Sequence, residues 1–344
     1  MKLRLISLAA LAAFAGQAFA ADANSALRTV AAPDGTAVAT SLFVSGSSAL
    51  GNLVKGLVNY NCTSSVVWGD AASNGGDQVM YLCKSVKSGS TFAAKGIAVG
   101  SNVLVYERKA GGSIFGVNPI VNGQADGKLG SAVGFIKPST CGAAGNTCDT
   151  TLGTTSAIPD VGLSDLEGAV FQDDDHFTSS AGAKLSAGQL AQLSGTATVL
   201  QGFGLVVNNG LYSALQAAGH TVDGTTSGLP TLSTAEAASL LNAGVNSVDG
   251  WGSILGSAYS GRQLNICTRT TGSGTKATAY LMFTGSTYCS KKHGAALLTA
   301  SLSDASAIGD ANGTLWVQEN SSSGTVKSCL NAVETAGALG VGIM

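Results

Sequence analysis

The chain has 344 residues, of which 45% are hydrophobic and only 11% charged, with a formal net charge of -2. That is enough for two domains of ordinary size, each with a sizeable core. Blocks of Lys and Arg are absent, which argues against nucleic acid as a partner.

The N-terminus carries Lys2 and Arg4, an apolar run, and then Ala18-Phe19-Ala20. This is the pattern of a secretory signal peptide, residues 1–20, cut after Ala20. No Cys stands at the cleavage point, so no lipid anchor is expected. No later stretch is long and apolar enough to span a bilayer. The expected location is the periplasm or the medium. All seven cysteines follow the signal segment: Cys62, Cys83, Cys141, Cys148, Cys267, Cys289 and Cys329. In an oxidising compartment they read first as disulfides. Cys141 and Cys148 enclose a short loop and are expected to pair, as are the neighbours Cys62 and Cys83. Cys267, Cys289 and Cys329 leave one thiol over, and the sequence does not say which. No C-x-x-C or H-x-x-x-H spacing supports zinc.

Along the mature chain, "SLFVSG" (41–46) reads as a short buried strand. Leu50, Leu53, Val54, Leu57 and Val58 then fall at helical spacing, with Ser47 or Ser48 as cap. "NVLVYE" (102–107) is a second strand, ending in the tight turn Ala110-Gly111-Gly112-Ser113. A short strand before Ser164-Asp165 ends at a helix start. "TVLQGFGLVVNN" (198–209) is a buried strand run, and the segment after Ser233 is a capped helix closing at Gly244. "QLNICTR" (263–269) is a strand that leads through a Gly-Ser-Gly turn into the helix "KATAYLMF" (276–283). This alternation predicts an α/β fold with largely parallel strands. Residues 60–95 and 121–158, rich in Gly, Ser, Thr and Asn, read as surface excursions on the first domain.

Several chemistries fail on spacing. The run "TTGSGTKAT" places its lysine one residue late for a P-loop and lacks the first glycine. No G-x-S-x-G elbow exists, and His176, His220 and His293 lie outside any recognisable triad. Asp173 to His176 is a carboxylate run of the kind usual on a solvated loop. What remains is a set of four small-residue turns, each between a strand and a helix, where unpaired N–H groups and the positive end of the helix dipole attract anions.

The order of these turns resembles the phosphate-binding protein of bacterial ABC phosphate transporters, a periplasmic binding protein of the two-lobe type II fold. Gly46-Ser47-Ser48-Ala49 is similar to that family's first turn and Ala110-Gly111-Gly112-Ser113 to its second. Leu163-Ser164-Asp165-Leu166 resembles its A-S-D-A turn. Arg269-Thr270-Thr271-Gly272-Ser273-Gly274-Thr275 resembles its R-x-D-G-S-G-T signature, and Ala336 to Gly340 its final glycine turn. The resemblance implies two α/β lobes with the ligand cleft between them. Lobe 1 would comprise residues 21–199 plus 325–344, lobe 2 residues 200–324, with crossings near residues 200 and 300–330.

It further implies a non-enzymatic, cofactor-free, monomeric protein that binds inorganic phosphate or a related oxyanion and hands it to an ABC permease. The alternative is a binding-like exported protein with a scavenging, signalling or surface role. Carried over by position, Ser48, Ala49 and Ser113 would donate to the anion from lobe 1. Arg269, Ser273, Gly274 and Thr275 would donate from lobe 2. Asp165 would accept the ligand's proton, which phosphate carries and sulfate lacks. Two positions depart from the family. Thr271 stands where it has Asp, and Ser48-Ala49 where it has Thr-Phe.

Overall fold

The computed structural model describes residues 24–71, 77–121, 132–142, 146–172, 185–191, 193, 195, 202–241, 249–284 and 298–344. Residues 1–20, the Asp173–His176 run, Cys289 and His293 lie outside the described residues. The chain is mixed α/β and divides into two compact units, residues 1–202 and 203–344.

Unit 1 is built on the strands β1 (Thr40–Gly46), β2 (Cys62–Asp70), β3 (Gln78–Val86), β4 (Val103–Arg108), β5 (Val133–Ile136), β6 (Thr147–Cys148), β7 (Thr154–Ala157) and β8 (Val161–Leu163). Six form one sheet in the order β6-β2-β3-β4-β1-β8. β4 and β8 run parallel to β1, whereas β3 is antiparallel to both β2 and β4. Side chains alternate across the sheet. Val44, Tyr81 and Val105 meet the helix α1 (Gly51–Asn61) through Val54 and Val58 on one face. Phe43, Trp68, Met80, Leu82 and Tyr106 fill the other, beneath the antiparallel β5–β7 pair that supplies Phe135. Arg28 forks onto both oxygens of Asp160 at 2.6 and 2.7 Å, and Asp160 accepts the Phe43 N–H at 2.8 Å.

Unit 2 has the strands β9 (Leu205–Val207), β10 (Leu264–Arg269), β11 (Leu315–Asn320) and β12 (Gly340–Ile343), ordered β11-β10-β12-β9. The first three neighbours are parallel and β9 is antiparallel to β12. Four helices matter here: α2 (Asn209–Ala217), α3 (Thr234–Leu241), α4 (Gly274–Thr284) and α5 (Ser323–Thr335). Leu211 and Leu215 of α2, Leu240 of α3 and Trp251 pack on Leu264, Ile266 and Val341. On the other face α5 packs through Val326, Leu330 and Val333.

Several expectations are corrected. Residues 60–95 are not a surface excursion, because β2 and β3 are nine-residue strands of the main sheet. Residues 121–158 supply β5 to β7, including the fully buried Phe135. The large sheet is mixed rather than largely parallel. Residues 325–344 belong to unit 2, not to the first lobe, since β12 lies between β10 and β9. No return crossing near 300–330 occurs among the described residues. Ser164-Asp165 follows β8 without starting a helix; a 3-10 turn begins only at Gly168. In the 198–209 run, only Leu205–Val207 is a strand among the described residues.

Among the described residues three disulfides are formed: Cys62–Cys83, Cys141–Cys148 and Cys267–Cys329. The first two are the expected pairs, and the third selects Cys329 as the partner of Cys267. Three disulfides fit an oxidising compartment. No described helix is long and apolar enough to cross a membrane.

Candidate functional site

In unit 1, the parallel strands β4, β1 and β8 lie side by side, so their carboxyl ends deliver three turns to one edge: Ser47 to Ala49, Lys109 to Ser113, and Ser164-Asp165. Open α/β sheets take ligands at that edge. Close backbone approach draws the turns together. A Cβ on Gly46 would lie 1.9 Å from the Leu163 carbonyl oxygen, and one on Gly116 would lie 2.0 Å from the same atom. Gly46 also sits at φ +132°, where other residues are strained. The Ser47 N–H donates to Leu163 O at 2.8 Å, and the buried Ser45 Oγ donates to Phe115 O at 2.6 Å.

The structure brings Ser113 and Asp165 together, with the Ser113 hydroxyl donating to Asp165 Oδ1. A hydroxyl has one proton to give. In this arrangement Ser113 directs its proton at Asp165. The Ala49 N–H donates to Ser47 Oγ at 3.2 Å as a local cap. Ser48 opens the 3-10 turn that leads into α1.

In unit 2, Arg269 ends β10 and is 1% exposed. Its Nε donates to Asn320 O at 3.2 Å and its Nη2 to Ser321 O at 3.0 Å. Its Nη1 reaches Thr275 Oγ1 at 3.4 Å and Ser323 Oγ at 3.5 Å. The guanidinium thus lies where α4 and α5 begin. Ser273 caps α4, its Oγ accepting the Lys276 N–H at 3.3 Å. Gly274 and Thr275 are the first residues of that helix, whose N–H groups have no acceptor inside it. Ser322 caps α5 in a reciprocal box with Thr325.

The expected residues therefore form two sets within separate units. Ser48, Ser113 and Asp165 lie at one strand edge. Arg269, Ser273, Gly274 and Thr275 lie at another.

Sequence reasoning missed several groups beside these sets. Lys276 is 1% exposed, with Nζ donating to Leu298 O at 2.8 Å and to Glu319 Oε1 at 3.4 Å. Burial pulls its pKa down to about 8, with the nearby Arg269 charge acting in the same direction and Glu319 opposing. Two buried cations at one helix start create a field that a bound anion would relieve. Ser321 to Ser323 repeat the strand–serine turn–helix pattern seen after β1, and that pattern was the available signal.

Glu107, on β4, is 2% exposed. Its Oε2 accepts from Tyr81 OH at 3.0 Å. Burial pushes its pKa from 4.5 up to about 7, against the opposing pull of Lys109 and Tyr81. The folded state then binds the extra proton between those values, so stability falls as pH rises from about 4.5 through about 7. Glu107→Gln is expected to flatten that fall, a difference of up to about 3 kcal/mol. Urea unfolding at pH 5 and pH 8 checks it; an unchanged slope in the variant would contradict the assignment.

No cluster of His, Cys, Asp or Glu among the described residues could hold a metal. His220 Nδ1 lies 3.3 Å from Glu236 Oε1 in a partly exposed pair. Comparisons with protein-family models, with curated proteins and with solved structures return no match.

Proposed function

We propose that the protein is an exported binding protein that holds phosphate or a closely related oxyanion. The observation that carries the reading is Arg269: a buried guanidinium at a strand's carboxyl end, touching hydroxyls at the starts of two helices. Helix starts and a planar guanidinium are the donors a dehydrated anion requires. Within unit 1, the Ser48 turn and Asp165 form the corresponding set of polar groups. Asp165, oriented by Ser113, can only accept, so it favours an oxyanion that keeps a proton. Delivery to an ABC permease is the use this reading implies.

Titration calorimetry of the mature protein against phosphate, arsenate, sulfate and glucose is the test. Phosphate and arsenate are expected to bind, sulfate far more weakly, and glucose not at all. Absence of binding by every oxyanion to folded protein would end the proposal. Asp165→Asn is expected to narrow the phosphate–sulfate gap by about tenfold or more, because the amide can donate to an unprotonated oxygen. An unchanged ratio would remove Asp165 from the selectivity role.

A further inference from the structure

We infer that Lys276 is the protonation switch of the anion site in unit 2: its ammonium form supports the bound oxyanion, and its neutral form releases it. The inference rests on the phosphate reading above and uses only groups of unit 2, residues 203–344. Lys276 is a positioning residue, acting through the field at the start of α4 rather than by touching the ligand.

The geometry fixes the ammonium beside that helix start. Lys276 follows Thr275, whose Oγ1 lies 3.4 Å from Arg269 Nη1, and its own N–H donates to Ser273 Oγ at 3.3 Å. The side chain is 1% exposed and runs to the Leu298 carbonyl, to which Nζ donates at 2.8 Å. Leu298 is held from its other side, since its N–H donates to Tyr280 OH of α4 at 2.8 Å. Nζ also lies 3.4 Å from Glu319 Oε1. Glu319 precedes Asn320, whose carbonyl accepts from Arg269 Nε. Lys276 thus shares both its helix start and a neighbouring strand with the guanidinium.

The charges around it are named element by element. α4 packs against α3, β10 and β12. β10 supplies Arg269 and the adjoining β11 supplies Glu319. Glu236 of α3 bonds to Ser233 and pairs with His220, and β12 has no ionisable side chain. Burial lowers the Lys276 pKa to about 8, Glu319 pulls it up, and the Arg269 charge pushes it down. The Arg269 charge therefore reaches Lys276. An anion held at Arg269 offsets that charge and raises the Lys276 pKa. By linkage, the proton on Lys276 tightens the anion by the same factor. Affinity is then full below about pH 8, falls as pH rises from there, and levels off once the raised pKa of the complex is passed.

Calorimetry with inorganic phosphate from about pH 7 to about pH 10, in two buffers of different ionisation enthalpy, tests this. Wild-type affinity is expected to fall by about tenfold or more across that range, the counterpart of a pKa rise of about one. Protons are expected to be taken up on binding above about pH 8. Lys276→Met is expected to bind more weakly at the low end and to lose the lysine's share of the fall and of the uptake. Ionisation of phosphate itself is common to both proteins and cancels in that comparison. Glu319→Gln, at a partly exposed side chain, is expected to move the fall to lower pH, because the ammonium loses its carboxylate. A lysine with only a structural role would leave that profile in place, so this variant decides even where Lys276→Met does not fold. If phosphate binds but Lys276→Met matches the wild-type profile, or the fall in Glu319→Gln does not move, the inference is overturned and the phosphate reading stands. If folded wild-type protein binds no oxyanion, both fall.

Discussion

Replacing Cys267 and Cys329 together by alanine is expected to lower the stability of unit 2 by about 4 kcal/mol. The bond closes a loop with a sequence separation of 62. On the chain-entropy account, cutting it returns about 4 kcal/mol of freedom to the unfolded chain. The separations of 21 and 7 at the other two bonds give about 3 and about 2 kcal/mol by the same relation. Cys267 is fully buried on β10, two residues before Arg269, and Cys329 lies on α5 among Val326, Leu330 and Val333. The bond therefore clamps the strand that carries the guanidinium to one of the helices whose start it touches. Guanidinium chloride unfolding of the three double variants gives the ranking. A loss at Cys267–Cys329 no larger than at Cys141–Cys148 would refute the loop-length argument.

Arg269→Ala is expected to cost about 2–5 kcal/mol of phosphate affinity, the usual range when a desolvated charge pair loses one member. It also leaves the carbonyls of Asn320 and Ser321 without the donors that Nε and Nη2 supply. Loss of a buried donor costs about 1–3 kcal/mol in stability, so the melting temperature is expected to fall as well. Arg269→Lys should not rescue either quantity, because one ammonium cannot reproduce a fork that bonds to two carbonyls while facing two hydroxyls. Full affinity in the Lys variant would show that charge alone matters and that the planar geometry does not.

β1, β4 and β10 were readable in the sequence because each is a nearly unbroken buried run ending in a serine- or glycine-rich turn. β2 was not. Its exposed positions are Thr and Ser, so "CTSSVVWGD" resembles a loop until Trp68 is seen to be fully buried. β12 hid for a related reason. In "GVGI" the glycines alternate with the apolar residues, and Cβ atoms on Gly340 and Gly342 would come within 2.8 Å of Val333 and Val326 of α5. The glycines are the face on which that helix rests. Its membership of unit 2 is a matter of long-range pairing, which local pattern does not encode.

At the site, the turns were legible as punctuation between a strand and a helix. What the hydroxyls do there was not: Ser113 engages Asp165, 52 positions away, and Lys276 engages Glu319, 43 positions away. Such pairs are set by strand order.

The position of β12 has a consequence for synthesis. Unit 1 is complete once residue 202 has been made, and domains generally fold as units in the order in which they are made. Unit 2 cannot follow in the same stepwise way. β9 and β10 have no common neighbour until Gly340–Ile343 exists to enter between them. The last of these four strands in chain order is the keystone of their sheet. Until then β10 has only β11 beside it, and the four-stranded sheet is incomplete.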